Sequence, residues 1–232
     1  VLGHECSGLV AELGSGVSGL VPGQRVVSEV VFETCGQCRA CKTGYYNLCL
    51  TRRGLGWAAD GAFAPYTVVE AKNIHPMPDN LDFEEAALSE PLAVCAYAVC
   101  ELTGVTAGDV VLVSGPGPIG LLTAQCAAAE GGRVVVTGTN ADEERLEVAR
   151  GLGIHAVANA EVTDIVGLMC QLGGGLGADV VFECSGASPA AASGLAAVRK
   201  GGTYMQVGLY GHPVELELDQ VAIKELSVLG VF

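Results

Sequence analysis

The pattern of apolar and polar positions changes near residue 92. Before that point, short alternating stretches such as "GQRVVSEVVF" and "FAPYTVVEA" are separated by loops that contain Gly, Pro and Asn. Alternation with a period of two is typical of strands that bury one face. Residues 1–92 are therefore predicted to form a β-rich domain with long loops, and "HPMPDNLDFEEAA" near its end predicts a helix with Asp82 as its N-cap.

From about residue 93, apolar strands alternate regularly with helical segments. The predicted strands are 110–114, 133–137, a short one near 156–157, 179–184 and 203–208, and the predicted helices lie near 119–130, 142–151, 162–172 and 189–199. This alternation indicates an α/β fold with a parallel, doubly wound sheet over residues 93–232.

The composition narrows the range of partners. Half of the residues are apolar, only 5% are aromatic and 33 are glycine, which suits parallel strands packed closely on helices. The formal charge is −14, from 12 basic and 26 acidic residues, and no run of Lys or Arg is present, so nucleic acid is excluded as a partner. No apolar run reaches the length of a membrane span, and no segment resembles a signal peptide.

The ten cysteines fall into two groups. Six are scattered, mostly among Ala, Val or Leu, and are predicted to be buried, unreactive thiols of a cytoplasmic protein: Cys6, Cys95, Cys100, Cys126, Cys170 and Cys184. The others lie in "ETCGQCRACKTGYYNLC" (33–49) with the spacing C-x2-C-x2-C-x7-C: Cys35, Cys38, Cys41 and Cys49.

This cysteine spacing is typical of a zinc site. Thiolates three residues apart on a turn can converge on one ion, and a fourth thiolate can complete a tetrahedron. Four sulfur ligands leave no open position, so such a zinc would be structural. A disulfide pair and a redox C-x2-C motif are the alternatives.

A nucleotide-binding turn is predicted directly after strand 110–114. "GPGPIG" places Gly115, Gly117 and Gly120 as G-x-G-x-x-G between a buried strand and a helix, which is the context that the motif requires. The glycines allow the tight turn, the close approach of the backbone to a pyrophosphate, and the packing of the helix on the strand. An ordinary turn with three packing glycines is the alternative.

The residues at the end of the second strand bear on the coenzyme. An acidic residue that would hold the ribose hydroxyls is expected there, but the sequence has Gly138, followed by Thr139 and Asn140. A small residue, nearby hydroxyls and Arg145 would make room for a 2′-phosphate. Both NADP and NAD therefore stay open, with a preference for NADP.

Three further residues are candidates for a second metal site. His4 and Glu5 are adjacent, and both side chains can bind zinc, although such a pair is often only polar surface. Glu90 is a carboxylate within the apolar run "LSEPLA". A buried carboxylate needs a partner such as a metal, whereas a helix-end acid on the surface does not.

In this order, "GHE", the four-cysteine loop, "PDNLDFEEAALSEPL" and "GPGPIG" resemble the zinc-dependent medium-chain dehydrogenases, and most of all their polyol (sorbitol or iditol) branch. The resemblance covers the whole chain. It implies a partial GroES-like catalytic domain (1–92) followed by a Rossmann coenzyme domain (93–232). It also implies a homo-oligomer, either a dimer or a tetramer, that acts on a small alcohol or polyol.

The resemblance also implies roles for single residues. His4, Glu5 and Glu90 match the catalytic zinc site, and the four cysteines match the structural zinc site. The coenzyme contacts that it implies are Gly115, Gly117, Ile119, Gly120, Arg145, Val207, Gly208, Leu209, Val231 and Phe232. Four further coenzyme contacts are candidates from their positions in the sequence: Pro118 in the turn, and Gly138, Thr139 and Asn140 at the end of the second strand. Gly138 departs from the family, whose polyol members usually have an acidic residue there.

Three functions follow as hypotheses. The first is hydride transfer between NAD(P) and a polyol or another secondary alcohol. The second is a threonine or sugar dehydrogenase of the same family, and the third is a nucleotide-binding relative without catalysis. The first residue is Val1 rather than Met, and the family has a further cysteine ligand upstream of "GHE", so we expect the chain to be part of a longer protein.

Overall fold

The structure is a computed structural model that describes all residues from 1 to 232. These residues form two units, Val1–Pro91 and Leu92–Phe232. None of the helices combines the length and the apolar character needed to cross a membrane.

The first unit is built on short antiparallel strands. The strands are β1 (Ser7–Leu9), β2 (Arg25–Ser28), β3 (Val31–Glu33), β4 (Arg53–Gly54) and β5 (Ile74–Pro76). They form a sheet of order β1-β2-β5 and a separate β3-β4 pair. The helices are α1 (Arg39–Lys42) and α2 (Phe83–Ala87), and 3-10 turns cover Tyr46–Leu48 and Ala71–Asn73. Helix α3 (Ser89–Ala96) begins in this unit and ends in the second.

Asp82 caps α2, as predicted. Its side chain accepts a hydrogen bond from the Glu85 N–H (2.7 Å), and the Glu85 carboxylate accepts one from the Asp82 N–H (3.0 Å). The two bonds form a capping box, which satisfies backbone donors that a helix start leaves without partners.

The predicted strand in "FAPYTVVEA" is wrong. The segment forms no strand, and the side chains of Phe63, Tyr66 and Val68 are 76–80% exposed. Alternation supplies an apolar face, but a strand also needs a neighbouring strand to accept its backbone hydrogen bonds. Residues 64–69 pair with no other strand of the structure.

The second unit contains the predicted parallel sheet. Its strands are β6 (Val110–Ser114), β7 (Arg133–Gly138), β8 (Ala156–Asn159), β9 (Ala178–Glu183), β10 (Val198–Gln206) and β11 (Ser227–Gly230). Its helices are α4 (Pro118–Ala129), α5 (Glu143–Gly151), α6 (Ile165–Leu172), α7 (Ser188–Ala197) and α8 (Asp219–Ile223), and a π-helical turn covers Tyr97–Thr103. The strand order is β11-β10-β9-β6-β7-β8, and every pair is parallel.

Alternate residues of the central strands pack on opposite faces of this sheet. Val111 and Val113 of β6 join a cluster with α4 and α5, whereas Val110 and Leu112 join a cluster with α6 and α7. The predicted doubly wound α/β class is therefore confirmed for the second unit. The chain reverses its direction across the sheet between β6 and β9, and ligands of such sheets bind at the carboxyl edge beside this point.

Two element boundaries differ from the prediction. Helix α6 begins at Ile165 rather than near 162, because the Asp164 side chain accepts a hydrogen bond from the Gly167 N–H (3.0 Å) and caps it. Strand β10 begins five residues early, at Val198, with a shift of register before Thr203. Among the six scattered cysteines that were predicted to be buried, only Cys95 is buried. Cys100 is exposed, and the other four are half-buried.

Candidate metal sites and nucleotide-binding edge

The four loop cysteines converge on one point. Their sulfur atoms all lie within 4.8 Å of one another. The separations are 3.5 Å for Cys38–Cys41, 3.6 Å for Cys35–Cys49 and 3.9 Å for Cys35–Cys41. Zinc–sulfur bonds of ~2.3 Å place tetrahedral thiolates about 3.8 Å apart, so the donor set fits a zinc ion. All four cysteines are free thiols, which is contrary to the disulfide alternative.

Local structure brings these sulfur atoms together. Cys38 directly precedes α1 and Cys41 lies within it, so the two side chains share one face of a single helical turn. Gly36 and Gly44 have φ values of +66° and +88°, in the left-handed region that favours glycine. The 3-10 turn Tyr46–Leu48 then returns the chain to Cys49.

Backbone N–H groups favour thiolates in this cluster. The Cys35 N–H donates to Cys49 Sγ (3.5 Å), and the Cys38 N–H donates to Cys35 Sγ (3.3 Å). The hydrogen bond from the Cys35 backbone, together with those from Thr51, lowers the pKa of Cys49 to about 6. Desolvation raises the pKa of Cys41 to about 11. The thiolate form of Cys49, which is the form that binds a metal, is therefore favoured near neutral pH.

His4, Glu5 and Glu90 form a second group. One ligand atom from each lies within 4.8 Å of the others, although Glu90 is 85 residues away in sequence. One imidazole and two carboxylates are ligands that zinc accepts, and three protein ligands leave a fourth position open. The Ser7 hydroxyl donates to the Phe83 carbonyl oxygen (2.5 Å), which ties β1 to the start of α2.

Backbone hydrogen bonds and close contacts with residues 61–63 hold the segment before His4. The backbone N–H groups of Gly61 and Ala62 donate to the carbonyl oxygens of Val1 and Gly3, both at 2.8 Å. Gly3 has φ +96°, and a Cβ atom on it would lie 2.5 Å from the Phe63 ring. A Cβ atom on Gly61 would lie 2.3 Å from the Gly3 carbonyl oxygen. The backbone is therefore packed closely where it presents His4.

Glu90 occupies the first turn of α3 and is half-buried. Desolvation is the main cause that raises the pKa of this carboxyl group above its ordinary value of 4.5. Burial therefore disfavours the charged form unless a cation lies beside it.

Sequence reasoning missed two neighbours of this group. Trp57 meets the His4 ring edge-on, with centroids 5.6 Å apart, and the Arg52 guanidinium lies 5.3 Å from the centre of the Trp57 ring. The contact between Trp57 and a candidate metal ligand joins residues far apart in sequence, so local composition gave no signal for it.

Each glycine of the predicted nucleotide turn has a different reason to be glycine. Gly115 has φ +99°, and a Cβ atom there would lie 2.7 Å from Ser185 Cα. A Cβ atom on Gly120 would lie 1.8 Å from the Gly115 carbonyl oxygen, so α4 packs against the turn itself. Gly117 faces open space and is the N-cap of α4, with Pro118 next. Unpaired N–H groups at the start of this helix, including that of Ile119, suit a pyrophosphate.

Packing at the end of β7 explains why the chain has Gly138 where an acidic residue was expected. A Cβ atom on Gly138 would lie 2.9 Å from Pro116 Cγ and 3.0 Å from Asp142 Cβ, so a larger residue does not fit without movement. The Thr139 hydroxyl donates to Asp142 (2.8 Å), and Arg145 forms an ion pair with the same carboxylate (3.1 Å). Arg145 remains 62% exposed, so its guanidinium can still reach a ligand.

Asn140 is held beside this position. Its backbone N–H donates to the Glu161 carboxylate (2.7 Å), and its side-chain oxygen accepts from Asn159 (2.6 Å). The carboxylates of Glu161 and Asp142 therefore both lie at this part of the edge, and they offset part of the positive charge of Arg145.

The last two predicted coenzyme segments lie side by side. Residues 207–209 follow β10, residues 231–232 follow the adjacent β11, and the Val231 N–H donates to the Gln206 carbonyl oxygen (3.3 Å). Together with the turns after β6 and β7, they occupy the carboxyl edge of the sheet. Leu209 is 80% and Phe232 69% exposed there.

Two family models match the chain. Residues 118–232 match the zinc-binding dehydrogenase model, and residues 1–79 match the alcohol dehydrogenase GroES-like domain.

Curated relatives and solved structures agree with these models. Over 99% of its length the chain is 46% identical to a sorbitol dehydrogenase of Halalkalibacterium halodurans, and it covers 67% of that protein. It is 38% identical, over its whole length, to an L-threonine 3-dehydrogenase of Pyrococcus furiosus, covering 66% of it. A zinc-binding dehydrogenase structure from Sinorhizobium meliloti 1021, bound to NADP, superposes with a TM-score of 0.90 and is 35% identical in sequence. The match covers the whole of this chain and 68% of that protein. The chain thus spans about two thirds of the length of these proteins.

Proposed function

Because the chain belongs to the zinc-binding dehydrogenase family, we propose that the protein containing it transfers a hydride between NAD(P) and a polyol or another secondary alcohol. The carbinol carbon loses a hydride to the nicotinamide, the hydroxyl group loses a proton, and a ketone is formed. The observation that carries the proposal is the convergence of His4, Glu5 and Glu90, whose ligand atoms lie within 4.8 Å of one another.

In this proposal, His4, Glu5 and Glu90 hold a zinc ion, which supplies a Lewis acid for the substrate oxygen. The two carboxylates lower the net positive charge of the site and so moderate that acidity. Glu90, which comes from a different segment than the adjacent His4 and Glu5, would be the ligand that exchanges with water or substrate. Trp57 contacts the His4 ring edge-on.

The four cysteines would hold a second zinc ion that only stabilises the loop 33–49. Their sulfur separations of 3.5–3.9 Å support this role, and a closed set of four thiolates leaves no position for substrate.

The carboxyl edge of the parallel sheet would bind the coenzyme, which supplies the hydride acceptor. Gly117 and the N-terminus of α4 receive the pyrophosphate, and the segments 207–209 and 231–232 lie along the nicotinamide. The preference for NADP rests on Arg145 and on the small residue Gly138.

Metal analysis combined with a substrate panel tests the proposal on the complete protein. We expect two zinc ions per chain, one after His4→Ala and Glu90→Ala are combined, and one after Cys38→Ser and Cys41→Ser are combined. We also expect sorbitol-type polyols to be oxidised with NAD or NADP. The Cys100→Ser variant, outside both groups, should keep both metals.

The threonine dehydrogenase similarity keeps a second substrate class in the test. Turnover of threonine without turnover of polyols would overturn the polyol assignment and keep the dehydrogenase. One zinc per chain in the wild type, with no alcohol oxidised, would instead indicate a nucleotide-binding relative without catalysis.

A further inference from the structure

Glu183 is a completely buried carboxyl group at the end of β9. It forms no ion pair, and the metal and coenzyme residues described above do not include it. Burying a carboxyl group costs free energy that an apolar residue at the same place would not cost. Its presence therefore needs an explanation beyond packing of the sheet.

Its carboxyl group receives donors from the loop after β9 and from the end of β10. One oxygen accepts from the backbone N–H (2.9 Å) and the hydroxyl group of Ser185. The other accepts from the Gly186 N–H (3.2 Å) and from the Gln206 side-chain amide (3.0 Å). A carboxylate offers about four acceptor positions, and four donors fill them.

Gln206 passes this contact on to the segment 207–209. Its amide nitrogen also donates to the Gly208 carbonyl oxygen (2.7 Å), and its amide oxygen accepts from the Tyr210 hydroxyl (2.8 Å). The backbone oxygen of Glu183 accepts from the N–H groups of Val207 (2.9 Å) and Gly208 (2.7 Å). The carboxyl group of Glu183, through Gln206, and its backbone oxygen thus both hold the start of the segment 207–209.

Close backbone contacts extend the same arrangement to the nucleotide turn. A Cβ atom on Gly208 would lie 2.6 Å from the Gly186 nitrogen and 2.9 Å from the Glu183 carboxyl group. A Cβ atom on Gly186 would lie 2.5 Å from the Leu209 carbonyl oxygen. Gly115 is in similar contact with Ser185. The loops after β6, β9 and β10 therefore meet around one carboxyl group.

We propose that Glu183 is a positioning residue, which holds the backbone of residues 207–209 in the conformation that receives the nicotinamide half of the coenzyme. This inference rests on the coenzyme role of the sheet edge proposed above. Buried, fully bonded polar networks fix one arrangement of the loops that they join, which apolar packing does less strictly.

The variant Glu183→Gln tests the network with almost no change of shape. One side-chain oxygen can still accept from Ser185, but the new amide group places its own donors against the Gly186 N–H and the Gln206 amide. Reversing the Gln206 amide would relieve one conflict and break its bonds to Gly208 and Tyr210. The segment 207–209 should therefore loosen, whereas the turn at Gly115–Gly120 should stay.

Two ligands separate these regions in an equilibrium binding experiment. ADP carries the adenosine and pyrophosphate but no nicotinamide, and NADH or NADPH carries all three. We expect Glu183→Gln to weaken binding of the reduced coenzyme about tenfold or more, as the loss of buried hydrogen bonds implies, and to leave binding of ADP within about twofold. The fluorescence of the bound reduced nicotinamide should also change.

A second variant keeps the test decisive if Glu183→Gln does not fold. Gln206→Met keeps the side-chain length at the half-buried end of β10 and removes the bonds to Glu183 and Gly208, so a smaller loss for the reduced coenzyme alone is expected. The matched control is Gln125→Met, on the exposed face of α4.

Equal weakening of both ligands, or no change for either, would overturn the positioning role. If wild-type protein binds neither ADP nor reduced coenzyme, the proposed coenzyme site itself fails, which is a different result.

Discussion

Single residues at the nucleotide turn differ in what a substitution would disturb. Gly120 touches the Gly115 carbonyl oxygen, whereas Gly117 faces open space. The same G-x-G-x-x-G motif therefore contains one glycine required by the protein and one that leaves room for a ligand.

Two alanine variants separate these requirements. We expect Gly120→Ala to destabilise the protein by about 2–4 kcal/mol, because its methyl group would displace backbone. We expect Gly117→Ala to cost at most about 1 kcal/mol and to weaken coenzyme binding at least tenfold, since the methyl group fills the approach to the turn. Chemical denaturation and coenzyme titration measure the two effects. Equal losses of stability in both variants would contradict this distinction.

Arg145 is the residue that should distinguish the coenzymes. Its guanidinium is exposed and would pair with a 2′-phosphate, which NAD lacks. We expect Arg145→Ala to lower kcat/KM for NADP roughly tenfold or more and to change that for NAD little, as charged hydrogen bonds imply. The variant Arg150→Ala, at the far end of α5, is the control. A wild-type preference for NAD, or an equal loss of kcat/KM with both coenzymes in Arg145→Ala, would show that the predicted preference for NADP is wrong.

Some residue roles could not be derived from the sequence alone. His4 and Glu90 are far apart along the chain, and only the resemblance to a family joined them, because their contact depends on the packing of a whole domain. Glu183 did carry a local signal, since "DVVFEC" places an acid in an otherwise apolar strand. A carboxyl group at that position must be buried with partners, which the alternation of strands and helices does not reveal.

Among the elements, the junction between β7 and α5 depends on one carboxylate. Asp142 accepts hydrogen bonds from the backbone N–H (3.0 Å) and hydroxyl (2.8 Å) of Thr139 and pairs with Arg145. The backbone bond from Thr139 is the main cause that lowers the pKa of Asp142 below its ordinary value of 3.8. This carboxylate therefore stabilises the folded state in its ionised form.

The pH dependence of this contribution has a definite sign. Because the folded-state pKa is depressed, the contribution is complete above the unfolded pKa and is lost as pH falls through the folded pKa. We expect Asp142→Asn to lower the free energy of unfolding by roughly 0.5–1 kcal/mol at pH 7, with the difference shrinking below about pH 4. Urea titrations across this range measure it. Glu144→Gln, at an exposed position of the same helix, should show a smaller and flatter difference.

Element prediction succeeded where the period of the pattern was enough. Buried strands such as Val110–Ser114 and the helices that follow them were recognised because a doubly wound sheet buries both of its faces. It failed for "FAPYTVVEA", since the pattern cannot show whether a partner strand is available. The early start of β10 was missed because polar residues such as Arg199 and Lys200 interrupt its apolar run.

For the whole molecule, the two candidate metal groups differ in how many ligand atoms they offer. The four cysteines offer four sulfur atoms, whereas His4, Glu5 and Glu90 offer three ligand atoms. Both metal sites stay predictions: sequence spacing indicates the first, and the proximity of distant residues supports the second.

Zinc release from the complete protein should therefore occur in two steps. We expect a zinc-binding dye to remove one ion per chain quickly, with loss of activity and no unfolding, because an open position lets the dye attack. The second ion should leave slowly and with loss of stability, since structural zinc contributes to folding. Absorbance of the dye and circular dichroism follow the two events. In Cys49→Ser the slow step should disappear, and a single phase in the wild type would argue against two different sites.

The spacing of the four sulfur atoms also has a consequence for handling the protein. At 3.5 Å for Cys38–Cys41 and 3.6 Å for Cys35–Cys49, the thiols need to move by only about 1.5 Å to form disulfides of ~2.05 Å. Bound zinc would therefore act as a protecting group against air oxidation. We expect metal-free protein exposed to oxygen to become unable to take up zinc again until a reductant is added.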